Sequence, residues 1–470
     1  MDFPPSSSTP LAVEVALKIF TSWTKYELRE METSNTAARR LQSVENHTSS
    51  FGKREQDTHL LVLPDGGKVA TSLAVGEAKI NEIVLNGSFI LTYTISETHA
   101  YAFDITSVGT RYQGATTHVP KYSLYTISAP LSTSIPSRPK DISLSDFWVG
   151  IYALFTLYPD NEHIPFAITS IPNVEEIKSY LLTTGLARTY PTSGISAKKA
   201  IPTNDILFLS RMTFWQGAGT TGYHCLSWIL NPKIPFPIMP SVTRNEKVIA
   251  LHPLRPSKPQ PGEFLYRRWC NDVKQTFEIT YFDLEGTHDG SKTLAGPSGL
   301  SRHMAAFHRW HNDERVNSAW GERGSLETHR DYVESLLADP HVLPCMMSWD
   351  GELMGYVEII YAKEDHVAQH YPTGVTPGDW ERGIHVLVGE DKFLGGGRAE
   401  IWVRSLVHYI FLADPRTDRV CGEPSQANIA IVKVASKSGF HIETTFDFPY
   451  KRSALILNPR EKFFKLCRLR

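Results

Sequence analysis

Long apolar runs are missing from this chain. The longest, Phe147 to Tyr158, is about 12 residues, well short of the roughly 20 that a membrane-spanning helix needs. Excess charge of either sign is missing too. With 48 Lys and Arg against 50 Asp and Glu among 470 residues, the formal charge is −2. That balance speaks against a broad nucleic-acid or anionic-membrane footprint and leaves small molecules as the expected partners. Cysteine is scarce. Cys225, Cys270, Cys345, Cys421 and Cys467 are odd in number and far apart, so neither a disulfide framework nor a zinc ribbon is indicated, and a reduced intracellular compartment fits. The start, Met1-Asp2-Phe3-Pro4-Pro5, lacks the basic and apolar regions of a secretory signal, and Cys467-Arg468-Leu469-Arg470 is not a Ser-Lys-Leu type of address. Cytosol and peroxisome both remain open, as does a homodimer. Absence of a Walker loop and of a G-x-S-x-G elbow counts against P-loop and serine-hydrolase chemistry.

The apolar share of 41% and charged share of 21% describe a globular chain, and its length suggests two domains. The best boundary is a proline-dense stretch, with Pro232, Pro235, Pro237, Pro240, Pro253, Pro256, Pro259 and Pro261. Such a stretch is extended and does not continue a core element. The expected division is therefore 1–240, a linker over 241–265, and 266–470. In the first part, helical periodicity occurs at 11–20 and 36–45, short strands alternate with turns from Thr58 to Ser107, and Ser143 caps a helix to Leu157. In the last part the pattern predicts a strand at Phe277–Phe282, a helix over His303–Val316, a second from Ser325 to Asp339, and a hairpin through Gly351. After these come a strand at Ile384, a helix, a short strand, a helix opened near Ser425–Asn428 and a final strand at Ser453–Leu457. This is one mixed α/β layer.

The densest chemistry lies at Arg382-Gly383-Ile384-His385-Val386-Leu387-Val388-Gly389 and Gly395-Gly396-Gly397-Arg398. A buried strand carrying one histidine runs into a glycine loop that opens an amphipathic helix. Glycines there let unpaired N–H groups approach an anion closely, and a neutral imidazole titrates in the range useful to a general base. A lone histidine in an apolar strand is more often a satisfied core residue, so the pattern by itself leaves both readings standing. His303, His308 and His311 have no cysteine or carboxylate at ligand spacing, and no metal is expected there.

Arg309-Trp310-His311-Asn312-Asp313-Glu314-Arg315-Val316 with Trp320, Gly383–Gly389, and Glu423-Pro424-Ser425-Gln426-Ala427-Asn428 with Gly439-Phe440 resemble the motifs of siderophore-biosynthetic acyltransferases of the GNAT fold, including the fungal hydroxyornithine transacylases. The resemblance spans about residues 270–460. It implies a GNAT-type mixed sheet with flanking helices, preceded by a degenerate, non-catalytic GNAT-like α/β domain, although no repeat of the C-terminal motifs is visible in the first half. The implied function is acyl-CoA-dependent acylation of N5-hydroxyornithine, with an anhydromevalonyl or acetyl donor. Relatives acting on a peptide N-terminus or an antibiotic, and a non-catalytic acyl-CoA-binding protein, are the alternatives. The same resemblance implies His385 as general base. Backbone N–H groups of Val386 and Val388 would face the thioester, Gly395, Gly396, Gly397 and Arg398 would hold the coenzyme A pyrophosphate, and Asn428 would meet the pantetheine arm or leaving thiol. His311, Asn312 and Trp320 would line the acceptor pocket. The family's aspartate after Glu-Pro is Ser425 here, so Glu423 or Ser425 takes its place, and Ser425 reads equally well as a helix cap.

Overall fold

A computed structural model of the chain describes residues 58–74, 80–96, 123–130, 141–189, 206–230, 240–244, 248–286 and 299–469. The helices expected at 11–20 and 36–45, and the strands expected beyond Ser96, lie outside the described residues. Residues 57–470 form one compact unit.

Alternating apolar residues build a first sheet of eight strands. They are β1 (Thr58–Val62), β2 (Lys68–Ala74), β3 (Ile80–Leu85), β4 (Ser88–Ser96), β5 (Leu124–Ser128), β6 (His163–Thr169), β7 (Ala187–Thr189) and β8 (Ile206–Ser210), in the order β1-β2-β3-β4-β5-β6-β8-β7. Helix α1 (Leu144–Leu157) joins β5 to β6, α2 (Val174–Thr183) joins β6 to β7, and α3 (Arg211–Trp215) comes after β8. The Ser143 Oγ accepts the Asp146 N–H at 3.1 Å, so α1 starts at the expected cap.

The second sheet has β11 (Phe264–Cys270), β12 (Gln275–Tyr281), β13 (Val342–Trp349), β14 (Glu352–Tyr361), β15 (Arg382–Val388), β16 (Arg419–Gly422), β17 (His441–Asp447) and β18 (Arg452–Pro459), in the order β11-β12-β13-β14-β15-β16-β18-β17. Strand for strand this is the order of the first sheet, each with one parallel pair, β5–β6 and β15–β16. The first half is thus a topological copy of the second, which no motif in its sequence discloses. Two differences separate the copies. Helices α4 (Arg302–Asn312), α5 (Glu314–Trp320) and α6 (Leu326–Ala338) stand between β12 and β13, where the first half has only residues 75–79 between β2 and β3. And β5–β6 pair over four positions, Tyr125↔Phe166 through Ser128↔Thr169, whereas β15–β16 pair only at Arg382↔Val420 and Gly383↔Cys421. Helices α7 (Arg398–Ala413) and α8 (Ile429–Lys437) occupy the places of α1 and α2, and α9 (Arg460–Leu466) comes after β18.

Three expectations need correction. The single helix over His303–Val316 is two, because Asp313 ends α4 and caps α5, its Oδ1 accepting from Arg315 N–H at 3.0 Å. The stretch 241–265 is not featureless. Strands β9 (Pro240–Arg244) and β10 (Ile249–Pro253) pair there, with Pro240 opposite Pro253 at the ends, positions where a missing N–H is tolerated. Beyond β10, buried Arg255 is tied to buried Glu364 and lies 3.7 Å from the centre of the Tyr361 ring. The helix near Ser425 begins later, at Ile429, and its cap is Asn428, whose Oδ1 accepts from Ile431 N–H at 3.2 Å.

Buried aromatic rings of the first half, Trp148, Tyr152, Phe214, Trp215 and Trp228, cluster together, and two of them, Trp215 and Trp228, pack against His408 on α7. Burial drives the His408 pKa down to about 3, so the ring is neutral. Its Nε2 donates to the Trp215 carbonyl and its Nδ1 accepts from the Tyr266 hydroxyl at 2.8 Å. The first half therefore braces the helix that carries the glycine loop at its other end.

Candidate active site

Because β15 and β16 stop pairing after Gly383 and Cys421, the edge of β15 from Ile384 onward opens into a cleft. Gly389 N–H bonds the Met354 carbonyl of β14 at 2.8 Å, so by the two-residue repeat of a strand the N–H groups of Val388 and Val386 point the other way, into the cleft. At the cleft's far end, Gly395, Gly396 and Gly397 have φ of +75°, +58° and +73°. Only glycine adopts that conformation without penalty. Gly397 is the N-cap of α7 and supplies no side chain to it, leaving first-turn N–H groups for an anion. The Arg398 guanidinium donates to Gln275 Oε1 at 3.2 Å.

His385 is held between two carboxylates. Glu358 sits directly opposite on β14, with Oε2 at 3.1 Å from His385 Nδ1. Glu423, just beyond β16, places Oε1 at 3.4 Å from Nε2, an atom that is buried and otherwise without a hydrogen bond. Burial pulls the His385 pKa down. Glu423 first, then Glu358 and Asp365, outweigh that and push it up to about 10. The flanking carboxylates thus favour the charged imidazolium over the neutral ring that the sequence reading expected. Glu358 Oε1 accepts from the hydroxyls of Tyr332 at 2.7 Å and Tyr356 at 3.2 Å, so the buried carboxylate is fully engaged.

A second chain of groups backs the first. Asp339 Oδ1 bonds His341 Nδ1 at 2.6 Å, His341 Nε2 lies 3.9 Å from Asp365, and Asp365 lies 3.0 Å from His366 Nδ1. Burial raises the Asp365 pKa, but His341, His366 and His385 hold its carboxyl well below the usual range. The His366 ring stands 6.2 Å from that of His385. Among the described residues no group of His, Cys, Asp or Glu is arranged to hold a metal ion.

Ser425 and Asn428, both candidates from the sequence, are engaged in the backbone framework beyond β16. Ser425 forms an isolated bridge to Ser453, and the Asn428 side-chain oxygen is spent on its cap. His311 is fully buried, donating Nδ1–H to the Phe307 carbonyl at 2.9 Å, with its ring 6.2 Å from Tyr356 and 5.4 Å from Trp320. Burial holds its pKa down, to about 4. Tyr356 in turn bonds Glu358, and a second route from His311 runs through the Phe307 and Tyr332 rings to the same carboxylate. Asn312 fastens the loop after α5, donating to Gly324 O at 3.1 Å and accepting from Gly324 N–H at 3.3 Å, and borders an open groove of about 610 Å³ near Gly389. Sequence reasoning missed Glu358, Asp365, His366 and Lys451. For Glu358 the signal was there: a single carboxylate in the apolar strand Tyr356-Val357-Glu358-Ile359-Ile360.

A splayed parallel pair, a glycine-capped helix at one end of the gap and an ionised histidine–carboxylate set at the other define an acyl-CoA-dependent transferase of the GNAT class. The model of the acetyltransferase (GNAT) domain family matches residues 299–448. The chain belongs to the family of acyltransferases that contains the hydroxyornithine transacylases. It is 35% identical to acyltransferase ato1 of Omphalotus olearius, over 73% of this chain and 81% of that protein. It is 32% identical to hydroxyornithine transacylase SID3 of Ajellomyces capsulatus, over 69% of this chain and 72% of that one. With N(5)-hydroxyornithine:cis-anhydromevalonyl coenzyme A-N(5)-transacylase SIDF of Beauveria bassiana it shares 33% over 70% of this chain and 74% of that protein.

Proposed function

We propose that this enzyme acylates the N5 nitrogen of hydroxyornithine from acyl-coenzyme A, with the anhydromevalonyl thioester preferred to acetyl-coenzyme A, as a step of hydroxamate siderophore synthesis. The observation that carries the reading is the placement of Glu358, His385 and Glu423 where β15 and β16 part. A hydroxylamine nitrogen is unprotonated near neutral pH and nucleophilic as it stands. The protein must align it with the thioester, which by itself supplies roughly 7–11 kcal/mol of the barrier, and remove one proton. Val386 N–H faces the thioester oxygen, and one such donor is worth about 10²–10³-fold. As the C–N bond forms, the nitrogen becomes acidic and a carboxylate suffices to accept its proton. Glu423 has that role, ordered by the His385 imidazolium. The carbon–sulfur bond then breaks, the proton taken up by Glu423 passes to the departing sulfur, and coenzyme A leaves as the thiol.

The test is release of coenzyme A from each donor with N5-hydroxyornithine and with ornithine, for the wild type, His385→Ala and Glu423→Gln. Turnover that requires the hydroxyl group and falls by about 10²-fold or more in both variants supports the reading. Equal turnover of ornithine, or full activity of Glu423→Gln, overturns it.

A further inference from the structure

The acceptor must enter over one face of the second sheet. Gly422 pairs with Ile456 and Ser425 with Ser453, so the same register runs on past the end of β16. By the alternation of side chains, Glu423 and Ser425 share a face with Ser453 and, two residues earlier, Lys451. Gly383 pairs with Cys421 on the other flank, which places His385 on that face as well. Two groups there are not used by the chemistry above. Lys451 donates to the Glu423 carbonyl at 3.1 Å and its Nζ lies 3.6 Å from Glu423 Oε1, while a quarter of its side chain stays exposed. An ammonium has three donors. Ser453 is fully buried, and its Oγ has no hydrogen-bond partner among the described residues, a condition that costs about 1–3 kcal/mol unless a ligand relieves it.

Distance links the lysine to the reacting centre, and register places Ser453 on the same face. Glu423 Oε1 is 3.4 Å from His385 Nε2 and 3.6 Å from Lys451 Nζ, so the two nitrogens are at most 7.0 Å apart. A cation at that range suits an anionic group separated from the reacting nitrogen by a short aliphatic chain. The turn that carries Lys451 is fixed: Phe448 N–H bonds the Lys451 carbonyl at 2.8 Å, and the Phe448 and Tyr450 rings stack at 5.4 Å beneath the ammonium.

We propose that Lys451 and Ser453 form the subsite that reads the acceptor's α-carboxylate, making this transferase selective for hydroxylamino acids over hydroxylamino amines. The assignment rests on the hydroxyornithine reading and adds to it the group that selects the amino acid. Lys451 takes one carboxylate oxygen while keeping its bond to the Glu423 carbonyl, and Ser453 Oγ–H takes the other. Lys451 and Ser453 are positioned to act on acceptor binding, not on the chemical step.

The experiment compares N5-hydroxyornithine with N-hydroxy-1,4-diaminobutane, the same chain without its carboxylate. Binding is measured by calorimetry in the presence of coenzyme A, and KM and kcat by coenzyme A release, for wild type, Lys451→Met, Lys451→Arg and Ser453→Ala. Wild type is expected to prefer the acid. Lys451→Met should lose about 10- to 100-fold in affinity for the acid, the value of a charge-assisted bond, with the diamine unchanged and the loss in KM. Lys451→Arg should keep most of the preference. Equal weakening of both ligands in Lys451→Met would show that the lysine only props Glu423, and equal binding of both ligands by wild type would also overturn the proposal. If wild type turns over neither hydroxylamine, the acylation reading fails, while the calorimetric preference still decides the subsite.

Discussion

Glu358 lies directly across the β14–β15 pair from His385, its Oε2 3.1 Å from the imidazole Nδ1, while Tyr332 and Tyr356 occupy its other oxygen. The imidazole is thus held from the neighbouring strand by a carboxylate whose other oxygen is occupied, and from beyond β16 by Glu423.

Replacing Glu358 by glutamine keeps the shape and removes the charge. With one of its raising partners gone, the His385 pKa falls from about 10. The basic limb of the kcat profile should move down by about one pH unit or more, since each unit corresponds to about 1.4 kcal/mol of lost interaction. A basic limb that stays in place would remove Glu358 from the proton chemistry.

The same shift predicts a pH dependence of stability. A histidine whose folded pKa is raised binds a proton more tightly in the native state. Its contribution is fully present below the unfolded value near 6.5 and is lost as pH rises toward 10. Urea midpoints should fall between pH 7 and 10 in the wild type and fall less in His385→Gln. Parallel curves would count against the raised pKa.

Gly397 has φ +73° and nothing within 4 Å of where a Cβ would stand. Alanine there meets conformational strain and no clash. A left-handed non-glycine residue costs about 1–2 kcal/mol. Gly397→Ala should therefore raise the KM for acyl-coenzyme A about 5- to 30-fold and leave the acceptor KM nearly constant. An effect on the acceptor alone would place the donor's phosphates elsewhere.

Trp228 is fully buried, stacked 4.9 Å from Trp215 and edge-on 5.0 Å from His408. Trp228→Ala should cost about 3–5 kcal/mol of stability, read as a lower denaturation midpoint, with kcat close to wild type at temperatures where the variant is folded. Loss of kcat in a folded variant would mean that the first half tunes the site and does more than brace α7.

Local patterns were legible where one stretch of chain carries the whole signal. The glycines before α7, the strand around His385 and the Ser143 cap are readable because their physics is short-range: φ freedom, alternation and one side-chain bond. Asp313 split a helix that apolar spacing made continuous, since a cap competes with periodicity and periodicity does not report it. The β9–β10 hairpin was hidden because prolines at 240 and 253 are tolerated only once they sit opposite each other at strand ends.

The sequence by itself determined the class of fold, the histidine strand, the glycine loop and the family, all of which rest on contiguous residues. Only the tertiary structure decided that Glu358 and Glu423 flank His385 from two sides, and that Lys451 and Ser453 stand on the same face. Those facts depend on register between segments that are 27 to 38 residues apart in the chain at each step, from Glu358 through His385 and Glu423 to Ser453. A register shifted by one residue would turn each of these side chains to the opposite face.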